Sequence, residues 1–256
     1  MTLPLLGLQL YTVRHADLPL GDLLHEVAAA GYAGVETVGT QGVAAAELRD
    51  ALDGAGLALA SAHVPLADLR RDLGAVADVH LTLGTPMLVV PWLAPEDRPG
   101  DLPGWTALGR ELDALGERLG AAGLRLAYHH HDFELERHGD RDGLTALLDA
   151  AAPERLSVEL DSGWLAAVGD DPVAWLAAWG PRVARLHLKD LDPRRPPPWT
   201  DVGDGTLDVT AVLKAAAGHG VDWVLVEHDA PADPLATARR SATAALRALR
   251  EVEGCG

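Results

Sequence analysis

The sequence predicts a single-domain α/β protein, a (β/α)8 or TIM barrel. Three observations predict it. Eight short apolar segments alternate with eight longer Ala/Leu-rich segments along 256 residues, a repeat of about 30 residues per βα unit. Glycine closes several of the longer segments. Histidines and acids gather at the ends of the later apolar segments, where a barrel of this class carries its chemistry.

In chain order, the first strand is read at Leu6–Tyr11 and the first helix at Leu20–Ala30, closed by Gly31. The next units pair Gly34–Thr37 with Ala44–Ala55 and Gly56, Leu57–His63 with Asp72–Leu83 and Gly84, and Met87–Trp92 with Trp105–Ala122 and Gly123. Glycine reaches the left-handed conformation that ends a helix at low cost. The second half pairs Leu124–His131 with Gly143–Ala151, Leu156–Asp161 with Pro172–Trp179, Val183–Lys189 with Val209–Gly218 and Gly220, and Val224–Asp229 with Pro234–Arg250. A doubly wound open sheet is the rival, but it usually shows a Gly-rich phosphate loop after its first strand. Here Thr12-Val13-Arg14-His15 follows instead. No linker or composition shift interrupts the chain, so residues 1–256 read as one domain. The longest irregular stretch, Asp190 to Leu207, is expected to overhang the barrel mouth.

Composition sets limits on function. The chain is 48% hydrophobic and 23% charged, which is globular, and its formal net charge is −17. That charge repels polyanions, so neither nucleic acid nor an anionic membrane surface is expected as a partner. Cys255 is the only cysteine, which rules out an intramolecular disulfide and cysteine-built metal sites. No apolar run approaches the roughly 18 residues of a membrane span. Met1 to Leu10 lacks the basic start and apolar core of a signal peptide, so a cytoplasmic protein is expected.

Alternate residues of a barrel strand face the axis. By that parity Arg125, Ala127, His129 and His131 point inward from the fifth strand, and Ser157, Glu159 and Asp161 from the sixth. Arg185, His187 and Lys189 point inward from the seventh, and Glu227 from the eighth, above Leu225. His129, Asp161, His187 and Glu227 then share one level at the mouth. Imidazole nitrogens and carboxylate oxygens are ligands for one divalent ion, Mn²⁺, Co²⁺, Mg²⁺, Zn²⁺ or Fe²⁺. His130 has outward parity and is not expected to ligate. Glu159 and Arg185, one layer below, are expected to form a supporting ion pair.

Seven motifs in this order carry a resemblance to a known family. They are Gly7-Leu8-Gln9-Leu10-Tyr11-Thr12-Val13-Arg14, Ser61-Ala62-His63, Tyr128-His129-His130-His131-Asp132-Phe133-Glu134, Glu159-Leu160-Asp161-Ser162-Gly163-Trp164, His187-Leu188-Lys189-Asp190, Gly203-Asp204-Gly205 and Val226-Glu227-His228. The chain resembles the sugar phosphate isomerase/epimerase family, the xylose-isomerase-like TIM barrels. The resemblance implies a divalent metal, most often manganese, held by Glu, Asp, His and Glu from strands five to eight. Asp161, His187 and Glu227 match the last three positions. His129 stands where the best-known epimerases have glutamate, so one carboxylate of a two-carboxylate proton shuttle is missing. Subfamilies with a Tyr-His-x-His-Asp-Phe-Glu run look like this chain, and some act on inositol or keto-sugar compounds.

The expected chemistry is isomerisation or epimerisation of a sugar, keto-sugar or polyol by proton abstraction next to a carbonyl. Glu227 is the expected base, Lys189 a donor to developing negative charge, and His131 a second proton-transfer group. His63, Glu36, Gln9, Trp164 and Asp204 are the expected substrate-binding residues. Trp164 and Trp199 could stack on a sugar face or simply pack. Dehydration of a keto-inositol begins with the same proton abstraction, and a non-catalytic sugar-binding barrel is a further alternative. An abasic-site endonuclease on this scaffold would need basic grooves, which the net charge opposes. A homodimer is an admissible assembly.

Overall fold

The computed structural model describes residues 2–254, so Cys255 and Met1 lie outside the described residues. Eight parallel strands close into a barrel: β1 (Leu5–Gln9), β2 (Gly34–Val38), β3 (Ala58–His63), β4 (Met87–Val90), β5 (Arg125–His129), β6 (Ser157–Asp161), β7 (Val183–Leu188) and β8 (Trp223–Val226). β8 pairs with β1, with Leu8 opposite Val226, and this closes the ring. The helices outside it are α1 (Leu20–Ala29), α2 (Ala45–Ala55), α3 (Leu66–Leu83), α4 (Leu102–Ala121), α5 (Gly143–Asp149), α6 (Ser162–Ala167), α7 (Pro172–Trp179), α8 (Val209–Gly218) and α9 (Pro234–Gly254). The sequence-predicted fold class and all eight strands are present.

Differences lie at the ends. β1 stops at Gln9 and the chain turns into a 3-10 helix over Leu10–Val13, because Gln9 Oε1 accepts the Tyr11 N–H. β5, β7 and β8 stop before His131, Lys189 and Glu227, which therefore sit on the first residues of the mouth loops. α3 begins earlier than expected, at Leu66, and breaks at Asp72. Asp72 Oδ1 caps the Ala75 N–H, so the predicted helix survives as the segment after the break. α6 is an addition that the sequence reading missed. Its signal was present, since Asp161 Oδ1 caps the Trp164 N–H at 2.8 Å.

The main apolar core lies between strands and helices, built from residues such as Leu8, Val35, Leu126, Leu160, Leu186 and Val226. Inside the barrel two small clusters fill the lower layers, Ala60 with Trp223 and Leu225, and Met87 with Val89, Ala127 and Ala184. The Trp223 ring lies where a Cβ on Gly34 would be, 2.6 Å from its nearest ring atom. The missing side chain therefore makes room for the indole, and this apolar floor raises the inward polar residues to the mouth.

Helix α4 packs on α5 and the following loop through glycines. A Cβ on Gly116 would collide with the carbonyl oxygen of Arg155, and one on Gly109 with that of Leu147. Backbone cannot yield as a flexible side chain can, so Gly116→Ala is expected to cost about 1–3 kcal/mol, the usual cost of overpacking. Urea denaturation checks it.

A second expectation concerns His80 on α3, which is buried and whose Nδ1 meets Thr85 Oγ1 at 3.1 Å. Burial holds this imidazole below its ordinary pKa. As pH falls below about 6.5, the unfolded chain takes up the proton before the folded chain does, so stability falls. His80→Asn is expected to flatten that acid-side slope by at most about 1.4 kcal/mol per pH unit. Denaturation curves at pH 7 and pH 5 measure it.

Candidate functional site

Parity along β5 to β7 carries through to the structure. One donor atom each from His129, Asp161, His187 and Glu227 lie within 4.8 Å of one another, all on buried side chains. Asp161 divides its two oxygens between the fold and the site. Oδ1 caps α6, while Oδ2 is buried without a hydrogen-bond partner. His129 Nδ1 is also unpartnered, 3.3 Å from Glu159 Oε2 without hydrogen-bond geometry. Leaving such atoms buried without a hydrogen bond is costly, and a metal ion among them would engage both.

Lys189 reaches into the same cluster. Its Nζ lies 2.8 Å from Glu227 Oε2, 3.3 Å from Asp161 Oδ2 and 3.1 Å from Asp229 Oδ1. Three carboxylates against one ammonium leave two negative charges, which a divalent ion would balance. The donor set and charge therefore fit a divalent metal. Burial pulls the Lys189 ammonium down, but Asp161, Glu227 and Asp229 outweigh it and raise its pKa, so it stays charged. Burial lifts Asp161 to about 6 against the pull of Lys189. Burial also acts upward on Glu227, yet Lys189 and His187 outweigh it and hold the carboxylate well below its usual range.

A second group lies beneath. His63, His129, Glu159 and His187 also bring donor atoms within 4.8 Å of one another. His187 faces both groups. Its Nδ1 is 3.1 Å from Glu227 Oε2, and its Nε2 is 2.7 Å from Glu36 Oε2 and 3.1 Å from Glu159 Oε2. His63 Nε2 lies 2.9 Å from both Glu36 and Glu159. Burial opposes the charged imidazole of His63, but Glu36 and Glu159 prevail and raise it to about 9. Through His187, Glu36 and Glu159 orient a candidate ligand, the usual task of such outer carboxylates.

This layer corrects the expected Glu159–Arg185 ion pair. The two residues are register partners across β6 and β7, but their side chains part. Arg185 pairs with Asp222 and donates to the carbonyls of Ala184 and Ala60. The long Arg185 side chain reaches out to the exposed Asp222, while the shorter Glu159 meets the histidines. His130 engages backbone through both ring nitrogens, Nδ1 at the His131 carbonyl. Its Nε2 accepts the Asp161 N–H at 3.0 Å, which requires the neutral ring, and burial lowers its pKa to about 4.

Above the cluster opens a cavity of about 500 Å³. Its chemistry-bearing wall is His63, His129, His131, Glu227 and Asp229, and its apolar wall is Tyr11, Val38, Pro91 and Trp92. His131 stands edge-on to His129 with ring centroids 5.0 Å apart, and its Nδ1 is buried without a partner. Burial first, and then Lys189, lowers its pKa, so it is neutral near pH 7. Glu134 holds the loop by accepting the His131 N–H at 2.8 Å and the Tyr128 hydroxyl at 2.7 Å.

Of the expected substrate-binding residues, only His63 lines this cavity. Gln9 and Glu36 lie beneath it, joined by a 2.6 Å hydrogen bond from Gln9 Nε2 to Glu36 Oε2. Trp164 packs edge-on to Trp199 at 4.6 Å, and Lys189 Nζ lies 5.3 Å from the Trp164 ring, so the pair covers the ammonium. Asp204 is a correction. It is exposed and lines a separate groove with Arg239, Arg240 and Arg247. The neighbouring amides of Gly203 and Gly205 are drawn inward to Asp190 Oδ2, which leaves the Asp204 side chain outside. The loop itself stays at the mouth end, where Asp190–Leu191 pairs antiparallel with Trp199–Thr200. Asp229 was missed, although it shares the parity of Glu227 two residues earlier. Trp92 and Val38 carry no chemical signal in the sequence.

The xylose isomerase-like TIM barrel family matches the chain over residues 24–252. The chain belongs to that family. The rhizopine catabolism protein MocC of Rhizobium meliloti is 32% identical over an alignment of 256 residues, covering 82% of this chain and 75% of that protein. An inosose dehydratase of Lacticaseibacillus casei is 26% identical over 141 residues, so the match spans 48% of this chain and 46% of that protein. Among solved structures, a sugar phosphate isomerase/epimerase from Parabacteroides distasonis superposes with a TM-score of 0.81 at 21% identity, covering 95% of this xylose isomerase-like chain and 96% of that one. At that identity the likeness shows the fold. Among the described residues no helix is long and apolar enough to cross a membrane.

Proposed function

We propose that this barrel is a divalent-metal-dependent isomerase or epimerase that abstracts a proton next to the carbonyl of a sugar, keto-sugar or polyol. The observation that carries the reading is the buried set His129, Asp161, His187 and Glu227, with two donor atoms that make no hydrogen bond, opening onto the cavity. A divalent ion held there, manganese by preference, would supply Lewis-acid polarisation of the substrate carbonyl. Glu227 is the base. Lys189 and His187 both contact its Oε2, which leaves Oε1 to take the substrate proton. Lys189 keeps that carboxylate ionised and places positive charge beside the developing negative charge. His131, neutral and facing the cavity, returns or relays a proton through Nδ1. The walls of Tyr11 and Trp92 orient the ring and exclude water.

A keto-inositol dehydratase is the second reading, supported by the inosose dehydratases among the chain's relatives. It shares the first proton abstraction and adds loss of a neighbouring hydroxyl, to which His131 would hand on a proton it has first taken up.

The test is solvent-deuterium incorporation by the manganese-loaded protein on a panel of ketoses and inososes, with products assigned by NMR. Exchange that stops on chelation and returns with manganese is the expected result. Binding without exchange on any compound would leave a sugar-binding barrel.

A further inference from the structure

We propose that the site takes an uncharged polyol or keto-sugar and excludes the phosphate ester of the same skeleton. This rests on the function proposed above and names its substrate class. In (β/α)8 barrels phosphate is commonly held by backbone amides in the loops after strands seven and eight and at a helix N-terminus. Here those amides already hold an internal anion. Asp190, fully buried just after β7, accepts the N–H groups of Gly203 and Gly205 at Oδ2, at 2.9 and 3.1 Å. Its Oδ1 accepts those of Leu191 and Leu207, at 2.8 and 3.1 Å. A Cβ on Gly205 would strike the Asp190 carboxylate, so the turn is closed tightly around it. After β8, Asp233 Oδ1 caps the Ala236 N–H at 3.0 Å, and after β6 Asp161 caps α6.

The cations near the mouth are equally committed. Lys189 is held by three carboxylates. Arg14 donates to the carbonyls of Tyr11 and Asp229, and Arg98 stacks on Phe133 and donates to the Leu93 carbonyl. Among the described residues no lysine or arginine lines the cavity, whereas Glu227 and Asp229 do. A divalent ion brings the charge of Asp161, Glu227, Asp229 and Lys189 to zero, and His63, the imidazole on the same wall, is held by Glu36 and Glu159 at 2.9 Å, so the site falls short of the positive field an anion needs. Tyr11, Val38 and Trp92 are exposed at the rim, where they suit the C–H faces of an uncharged ring.

Calorimetry on the manganese-loaded protein tests this with matched pairs, D-fructose against D-fructose 6-phosphate and scyllo-inosose against its phosphate ester. The uncharged member of each pair is expected to bind at least about 100-fold more tightly. Asp229→Asn is expected to narrow that ratio about tenfold, because it removes one repelling charge. Equal or tighter binding of a phosphate ester, or failure of every uncharged probe to bind, overturns the proposal. An unchanged ratio in Asp229→Asn overturns its electrostatic basis. Binding of the uncharged member without deuterium exchange would leave the exclusion standing and refute the reaction; exchange on the phosphate ester would do the reverse.

Discussion

Glu227→Gln is expected to retain the divalent ion while losing roughly 10²–10⁴-fold in turnover, the usual worth of a general base. The variant keeps the shape and one ligating oxygen, but its amide cannot accept a proton. The carboxylate is buried against Lys189 at 2.8 Å and His187 at 3.1 Å, so the substitution leaves Lys189 with Asp161 and Asp229. Metal content by mass spectrometry and the rate of substrate deuterium exchange separate ligation from base catalysis. Near-normal exchange with metal still bound would place the base elsewhere. His131, with an unpartnered Nδ1 in the same cavity, is then the next candidate.

Lys189→Met is expected to destabilise the metal-free protein by about 3–5 kcal/mol, the cost of stripping one partner from a buried ionic cluster. Lys189 is 1% exposed and serves Asp161, Glu227 and Asp229 together. Methionine fills most of the stem's volume, so the loss reads charge and not packing. Two trends distinguish this cause. The deficit should shrink as pH falls toward about 6, because Asp161, lifted to about 6 even against the pull of Lys189, takes up its proton at higher pH once the ammonium is gone. It should also shrink on adding manganese, because the ion replaces the missing positive charge. Urea denaturation in chelator and in manganese measures both. A cost below about 1 kcal/mol, typical of exposed pairs, would mean that the carboxylates do not need the ammonium.

The two variants also separate two roles within one cluster. Glu227→Gln removes a proton acceptor while the neighbouring charges persist. Lys189→Met removes the charge that keeps the acceptor ionised. If both lower turnover but only the second lowers stability, Glu227 acts at the substrate and Lys189 acts through Glu227.

The eight strands, the barrel class and the inward set His129, Asp161, His187 and Glu227 were legible in the sequence. Strand periodicity and parity are local properties, and any residue's face follows from its neighbours two positions away. Even the unexpected helix α6 had its Asp161 cap written locally. Partner choice was not local. Arg185 left its register partner Glu159 because a long stem could reach Asp222, and β6 slips against β7 between Val158 and Glu159. Asp204 fell outside the cavity because Asp190, fourteen positions earlier in the chain, drew in the amides on either side of it. Tyr11, Val38 and Trp92 came to line the mouth from a 3-10 turn after β1, the end of β2 and the loop after β4. Which side chains face the axis, and what chemistry they bring, follows from local alternation along each strand. Which of them pair, which lack a hydrogen bond and what lines the cavity depend on side-chain reach and on segments brought together by closure of the barrel, and these lie beyond any local pattern.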